Sequence, residues 1–507
     1  MKRLPNPRYR ALALQLLIAA SAMAAPVLAL PPQAVSARQT LAAQIDAHID
    51  QSRFANARWG IAVVSLDSGQ TVYAHEPDKL LQPASTAKLF TAALALSVLG
   101  PEHRIPTRVL AGGSITHGQL NGPLILYGMG DPTLGTAGAT DWAEQLAAQT
   151  AARGLRVVHG DLIADASYFS SPLFGSGWEA ADLQSWFAVP TSALSVQENI
   201  LSVIASPGSA AGAQARLEFA PTQAKSPVDN QLLTGAVGSA SDINLYRAPG
   251  TSTLYAFGSI PAGAKPQRFR LSMNDPAQVA GTQLRQALLR HGIRVTGKLH
   301  SRYWPQAMVT RATDDNVLAQ VWSPPLREIL QRGLKRSQNL YLQNLLLGVG
   351  AQLPTQTRGF RTDEQRALKA LAELSREIGI APSSSLIGEG TGLSRQDLVT
   401  PSALVLLLGH MANQPYAQLL YQALPVAGVD GSLTYRMRGS AAQGKVHAKT
   451  GSLAQVDCLA GYVTTVSGER LAFAIMLNNY VPPAGAPRAS RDVDAIAILL
   501  ASFRGSH

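Results

Sequence analysis

Ser85-Thr86-Ala87-Lys88 places a hydroxyl and an amine three residues apart, and it is the one Ser-x-x-Lys in the chain. Residues i and i+3 lie on one face of a helix, so the amine reaches the hydroxyl. At a helix N-terminus the positive end of the dipole also favours an oxyanion developing beside Ser85. A charged lysine cannot take a proton. One that is buried near a second cation can, because both effects lower its pKa. Lys449-Thr450-Gly451, the one Lys-Thr-Gly in the chain, supplies that candidate cation. Ser337-Gln338-Asn339 offers a hydroxyl to relay protons between Lys449 and a leaving group. Its Asn339 amide can hold substrate backbone and Lys88. Ser272-Met273-Asn274 has the same form, but Asp275-Pro276 follows it and reads as a strand end and helix start, so Ser337 is preferred. On an edge strand, Thr450 and Lys449 give a hydroxyl and a positive charge for a terminal carboxylate, and Gly451 lets a substrate approach closely. The backbone N–H groups of Ser85 and Ser452 would form an oxyanion hole. The chemistry is acyl transfer by a serine with a lysine base.

Each residue has an ordinary reading as well. Ser85 could be a helix N-cap, Lys88 a snorkelling surface lysine and Lys449 a solvated strand lysine. What favours chemistry is that the three motifs come in order, each on the kind of element its role requires.

Those elements are legible from periodicity. Residues 37–49 carry apolar spacing on one face of a helix, and 59–65 with 71–75 read as a hairpin around Asp67-Ser68-Gly69-Gln70. From Ser85, Ala87, Leu89, Ala92, Ala93 and Leu96 make a buried Ala-rich helix. Residues 108–130 give two short strands, 142–153 a helix, 157–163 a strand, 201–271 more short strands and loops, and 276–291 a helix with a strand near Arg294. Helices follow at 325–333, 339–347, 362–377 and 401–411, then strands at 446–450, 459–465 and 471–477, and a last helix at 493–503. Strands at both ends flank helices and an insertion. This predicts an α+β fold whose one antiparallel sheet is built from both ends of the chain and covered by helices.

Composition narrows the function. Of 507 residues, 46% are hydrophobic and 15% charged, which suits a globular protein and not a disordered chain. The single cysteine, Cys458, rules out an internal disulfide and a cysteine-based metal cage. It reads as a small core residue, with a reactive thiol as the alternative. The HExxH, G-x-S-x-G, P-loop and G-x-G-x-x-G signatures are absent. Residues 1–24 read as a signal peptide: Lys2, Arg3, Arg8 and Arg10 precede an apolar run that Pro26 and Pro31-Pro32 interrupt. An uncleaved anchor is the alternative. Cleavage after Ala24 removes those four charges and takes the net charge from +11 to +7. No later segment is long and apolar enough to span a membrane, so no stable span is expected after cleavage. The basic residues are diffuse, which speaks against nucleic acid and for an acidic extracytoplasmic polymer.

Ser-x-x-Lys, Ser-x-Asn and Lys-Thr-Gly together are the motif set of penicillin-binding proteins and class A β-lactamases. Longer blocks sharpen the likeness: Gly130-Asp131-Pro132-Thr133-Leu134, Gly177-Trp178, Asp182, Ser192-Ala193-Leu194, Gly390-Thr391-Gly392-Leu393-Ser394-Arg395, and the run from Leu424 to Leu433. With these the chain resembles the D-alanyl-D-alanine carboxypeptidase/endopeptidases of the penicillin-binding protein four type, the class C low-molecular-mass penicillin-binding proteins. The resemblance covers most of the mature chain. The 252 residues from Ser85 to Ser337 leave room for the family's inserted domains.

The resemblance implies a β-lactamase/transpeptidase-like antiparallel sheet flanked by helices, with inserted small α+β domains. The parts expected are a signal peptide (1–24), a first catalytic part (25–105), inserted accessory domains (106–280) and a second catalytic part (281–507). It implies a periplasmic, penicillin-sensitive serine carboxypeptidase and D,D-endopeptidase acting on peptidoglycan muropeptides, with β-lactams as covalent inhibitors. No metal or cofactor is needed, and a homodimer is possible. By resemblance, Asp182, Phe187 and Arg395 line the pocket for the diamino acid of the stem peptide. There Asp182 meets its ammonium and Arg395 its carboxylate. The chain departs from the family at Glu389, usually Asp, at Ala180, usually Trp, and at Ala454, where Gln can occur; these bear on substrate preference. The rival functions are a β-lactamase of the same fold and a catalytically silent cell-wall binding protein.

Overall fold

The computed structural model describes residues 32–136, 141–354 and 359–505, with side chains from residue 37 onward. The expected signal peptide, 1–24, lies outside the described residues.

One five-stranded antiparallel sheet carries the site. Its spatial order is Thr71–His75, Arg58–Ser65, Arg470–Asn478, Val456–Thr464 and Val446–Leu453, so both ends of the chain meet in it. Period-two alternation divides the faces. Ile61, Val63, Leu459, Phe473 and Ile475 pack with Leu41, Ile45, Val493 and Ile496 of the helices Pro32–Asp50 and Ser490–Ala501. On the opposite face the strands present Ala62, Cys458, Ala460, Ala472 and Ala474. Small residues there let the helix Pro401–Ala412 approach closely, and the helices Lys88–Leu99 and Asn339–Gln352 pack on each other in the same larger core, with Leu89, Phe90, Leu345, Leu346 and Leu404. Large residues on one face and alanines on the other therefore set how close each helical layer comes.

The inserted region leaves at Ile105 and returns at Ser323. Ser323 N–H donates to the Ile105 carbonyl (2.9 Å), and Ile105 N–H donates to Ser323 Oγ (2.8 Å), which ties the two passages together. Between them lies a five-stranded sheet ordered Leu299–Arg302, Leu162–Asp165, Leu124–Gly128, Pro106–Ala111 and Val317–Trp322. Strand pairing thus carries the insertion to Trp322, whereas the sequence places its end at 280; the strands after residue 290 are short and their partners lie 130 or more residues earlier. The expected strand 157–163 is two, Val157–Val158 and Leu162–Asp165, which join different sheets. Likewise 108–130 holds four strands, not two. Among the described residues, no helix is long and apolar enough to cross a membrane.

Candidate active site

Ser85 sits in the 3₁₀ turn Ala84–Ala87, directly before the helix Lys88–Leu99. The turn and the first helical residue put Lys88 Nζ 2.7 Å from Ser85 Oγ. Lys88 is fully buried, and Nζ also donates to Asn339 Oδ1 (2.6 Å) and the Thr391 carbonyl (2.8 Å). Three acceptors match the three hydrogens of an ammonium. Loss of one proton leaves two donors for Asn339 and Thr391 and a lone pair directed at the Ser85 hydroxyl. Burial lowers the Lys88 pKa to about 7, against the opposing pull of the Glu389 and Asp397 carboxyls. The sequence credits this to burial and to Lys449 together; in the structure the lowering cause is desolvation.

Lys449 is also fully buried. Its Nζ donates to Ser337 Oγ (2.8 Å) and to the Thr450 carbonyl (2.7 Å). Burial, then Lys88 and Arg436, hold its pKa well below the usual lysine value. Asn339 Nδ2 donates to the Phe187 carbonyl (2.7 Å), which ties the 182–187 segment to the motifs. Thr450 Oγ1 and Ser432 Oγ are 2.7 Å apart, and Ser452 Oγ donates to Asp457 (3.1 Å).

Gly451 has a role other than the expected one. A Cβ there would lie 2.6 Å from the Pro83 carbonyl and 3.2 Å from Ala84 Cβ. Its missing side chain makes room for the serine's own turn. Gly392, at φ +74°, likewise packs against the Ala84 carbonyl where no Cβ would fit. Two glycines thus allow the motif strand and the 388–397 loop to close on Ser85.

Around this centre lie two carboxylates: Glu389, which the sequence marks only as a departure bearing on substrate preference, and Glu198, which it does not mark. Glu389, fully buried, accepts from Thr391 N–H (2.9 Å), Thr391 Oγ1 (2.7 Å), Leu393 N–H (3.0 Å) and Trp178 Nε1 (3.1 Å). It folds the loop whose Thr391 carbonyl holds Lys88. Asp397 beside it is pushed up to about 9, by burial first and by the Glu389 charge second. Glu198 accepts from Arg336 (3.0 Å), Gln338 (3.0 Å) and Tyr341 (3.1 Å). Arg336 and Gln338 flank Ser337, which holds a left-handed φ of +55°. A carboxylate 139 residues upstream thereby clamps both neighbours of the candidate relay serine. Nothing local in the sequence signals this; only the glutamate's burial does.

Asp182, Phe187 and Arg395 are half-buried. Arg395 Nε lies 3.3 Å from Glu179 Oε1, and Nη1 donates to the Ala454 carbonyl (3.2 Å). It therefore bridges the 179–187 segment and the turn after the Lys-Thr-Gly strand. The Asp182 pKa is raised by burial and by Glu179, while Arg395 lowers it. Cys458 lies in the core against the Gln82 carbonyl, its thiol pKa pushed up by burial.

The profile of the D-Ala-D-Ala carboxypeptidase 3 (S13) family matches residues 41–502. A D-alanyl-D-alanine carboxypeptidase of Actinomadura sp. is 36% identical over 95% of this chain and 88% of its own length. The D-alanyl-D-alanine carboxypeptidase DacB of Haemophilus influenzae is 28% identical over 83% and 85%. The crystal structure of penicillin binding protein 4 from Haemophilus influenzae superposes with a TM-score of 0.76 at 25% identity, covering 89% of this chain and 97% of that one.

Proposed function

The chain belongs to the D-Ala-D-Ala carboxypeptidase 3 (S13) family, and from that premise we propose that it is a penicillin-sensitive serine carboxypeptidase and D,D-endopeptidase of the periplasm. Its substrates are peptidoglycan stem peptides and their cross-links. The observation that carries this reading is the buried Lys88 amine, 2.7 Å from Ser85 Oγ with a pKa of about 7.

Neutral Lys88 takes the Ser85 proton as Oγ attacks the carbonyl carbon of the D-Ala bond. Backbone N–H groups of Ser85 and Ser452 receive the negative charge on the carbonyl oxygen. The C–N bond then breaks as the leaving amine takes the proton that Lys88 acquired, relayed through Ser337, which returns Lys88 to the neutral amine. Water, deprotonated by Lys88, cleaves the acyl-serine ester and returns the proton to Ser85. The carboxylate of the leaving residue meets Lys449, Thr450 and Ser452. An anion beside Lys449 raises its pKa, so substrate binding itself favours the charged amine. Asp182 and Arg395 receive the ammonium and carboxylate of the diamino acid, with Phe187 as wall. In Arg395 the ligand carboxylate competes with Glu179.

A β-lactam presents the same carbonyl and carboxylate and would stop at the acyl-serine. Mass spectrometry after incubation with a penicillin tests this: one adduct located on Ser85 and none in S85A is the expected result. An adduct of equal yield in S85A, or none in the wild type, overturns it. Chromatography of products from cross-linked muropeptides separates the two activities, with monomers reporting the endopeptidase and free D-alanine the carboxypeptidase.

A further inference from the structure

A cavity of about 390 Å³ is lined in part by Leu183 and Gln184, from the segment that holds Asp182 and Phe187. It falls within the size range of small-molecule pockets. Its walls include Phe174, Gln184, Thr251, Ser252, Ser272 and Asn274, and Arg247 is the one charged residue among the described lining. Arg247 is only 7% exposed. Its Nη2 donates to the Ser272 carbonyl (2.8 Å) and touches Ser272 Oγ (3.4 Å), while Nε and Nη1 make no hydrogen bond among the described residues. No described carboxylate pairs with it. The Arg247 backbone N–H donates to Gln184 Oε1 (2.9 Å), and the Gln184 carbonyl accepts from Ser272 N–H (2.9 Å).

A guanidinium stays charged at any physiological pH. Taken out of water without a counter-ion, it is costly to the fold. Two other arginines, both only part-buried, have carboxylate partners: Arg436 has Asp494, and Arg366 has Asp363. Arg247 instead points its free donors where hydroxyl and amide groups line a cavity. One buried positive charge is neutralised by one monoanion, and a planar fork of N–H donors matches a carboxylate. A phosphate dianion would leave excess negative charge with no second cation on the wall.

We propose that the Arg247 cavity is a carboxylate-binding subsite that holds a free carboxylate of a stem peptide other than the one cleaved. The carboxylate chemistry stands on the cavity alone; the stem peptide as its source rests on the proposed function. The placement gives the subsite a purpose. Leu183 and Gln184 line it, Asp182 precedes them directly, and Phe187 binds Asn339. One short segment thus contributes to both ligand positions, so a neighbouring stem held in the cavity lies along the chain next to the cleft residues.

The probe is a disaccharide tripeptide muropeptide, which lacks the D-Ala-D-Ala bond, together with the same muropeptide fully amidated at its carboxyls. Calorimetry on the full chain compares wild type, R247Q and S252W; the last fills the rim without touching the buried charge. Loss of one charge-assisted pair weakens muropeptide binding by about tenfold or more in R247Q, and S252W does likewise. Amidation costs the wild type more affinity than it costs R247Q. Fluorescent penicillin labels Ser85 equally in wild type and R247Q. The subsite is overturned if both variants bind as the wild type does, if amidation costs both proteins equally, or if equimolar inorganic phosphate displaces the muropeptide. Absence of penicillin labelling in the wild type would defeat the proposed function instead, and the R247Q difference would still decide the subsite.

Discussion

Acylation of Ser85 should follow the protonation of Lys88. With a pKa of about 7, the neutral fraction is about one half at pH 7, about 0.9 at pH 8 and about 0.01 at pH 5. The acylation rate constant should therefore fall by roughly 90-fold from pH 8 to pH 5, and it should be nearly flat above pH 8. An unperturbed lysine amine, at about 10.4, would be neutral in only about one molecule in 2,500 at pH 7, so burial raises the reactive fraction on the order of a thousandfold. The assay is the second-order rate of labelling by fluorescent penicillin between pH 5 and 9, a range in which the probe's carboxylate stays ionised. A second arm tests the cause. The Glu389 carboxylate raises the Lys88 pKa, so E389Q should move the inflection to lower pH. E389Q also loosens the 388–397 loop, so the readout is the inflection and not the plateau. A flat profile, an inflection near that of free lysine, or an upward shift in E389Q would refute the assignment of Lys88 as the base.

Glu198 gives a second prediction. E198A releases Arg336 and Gln338 around Ser337; kcat should fall at least tenfold with KM nearly unchanged, since the residue acts by positioning. Urea denaturation should show a loss of about 1–3 kcal/mol from the unpaired Tyr341 and Gln338 groups. G451A sets a Cβ 2.6 Å from the Pro83 carbonyl and should push the strand off the serine's turn, with penicillin acylation down by about 10²-fold; acylation at the wild-type rate would show that the turn yields freely. Cys458, 1% exposed with its thiol pKa raised, should resist a thiol reagent in the folded protein and react fully in denaturant.

The chemistry was legible in the sequence because it is local. Three residues of helical spacing join Ser85 to Lys88, and the Lys-Thr-Gly strand announces itself by type and order, so the nucleophile, its base and the second amine stand out without coordinates. The sheet was legible for a similar reason: apolar, β-prone runs at 59–65 and 471–477 beside turn residues mark strands that one antiparallel pairing unites. Insertion boundaries were not, since two-residue strands such as Arg294–Val295 take their identity from partners far away in the chain. The sequence named burial and a second cation as what would make Lys88 a base, but it could not weigh one against the other. That depends on desolvation, which is a property of everything packed around the amine and of no single neighbour. The same holds for Gly451, whose use depends on which atom lies opposite it, and for Glu198, Glu389 and Arg247, which are ordinary surface residue types until the fold removes their water. Residue type and spacing determined which atoms can react. Burial, a many-body quantity that only the packed chain defines, decided their charge, their orientation and which polar groups were left without a partner.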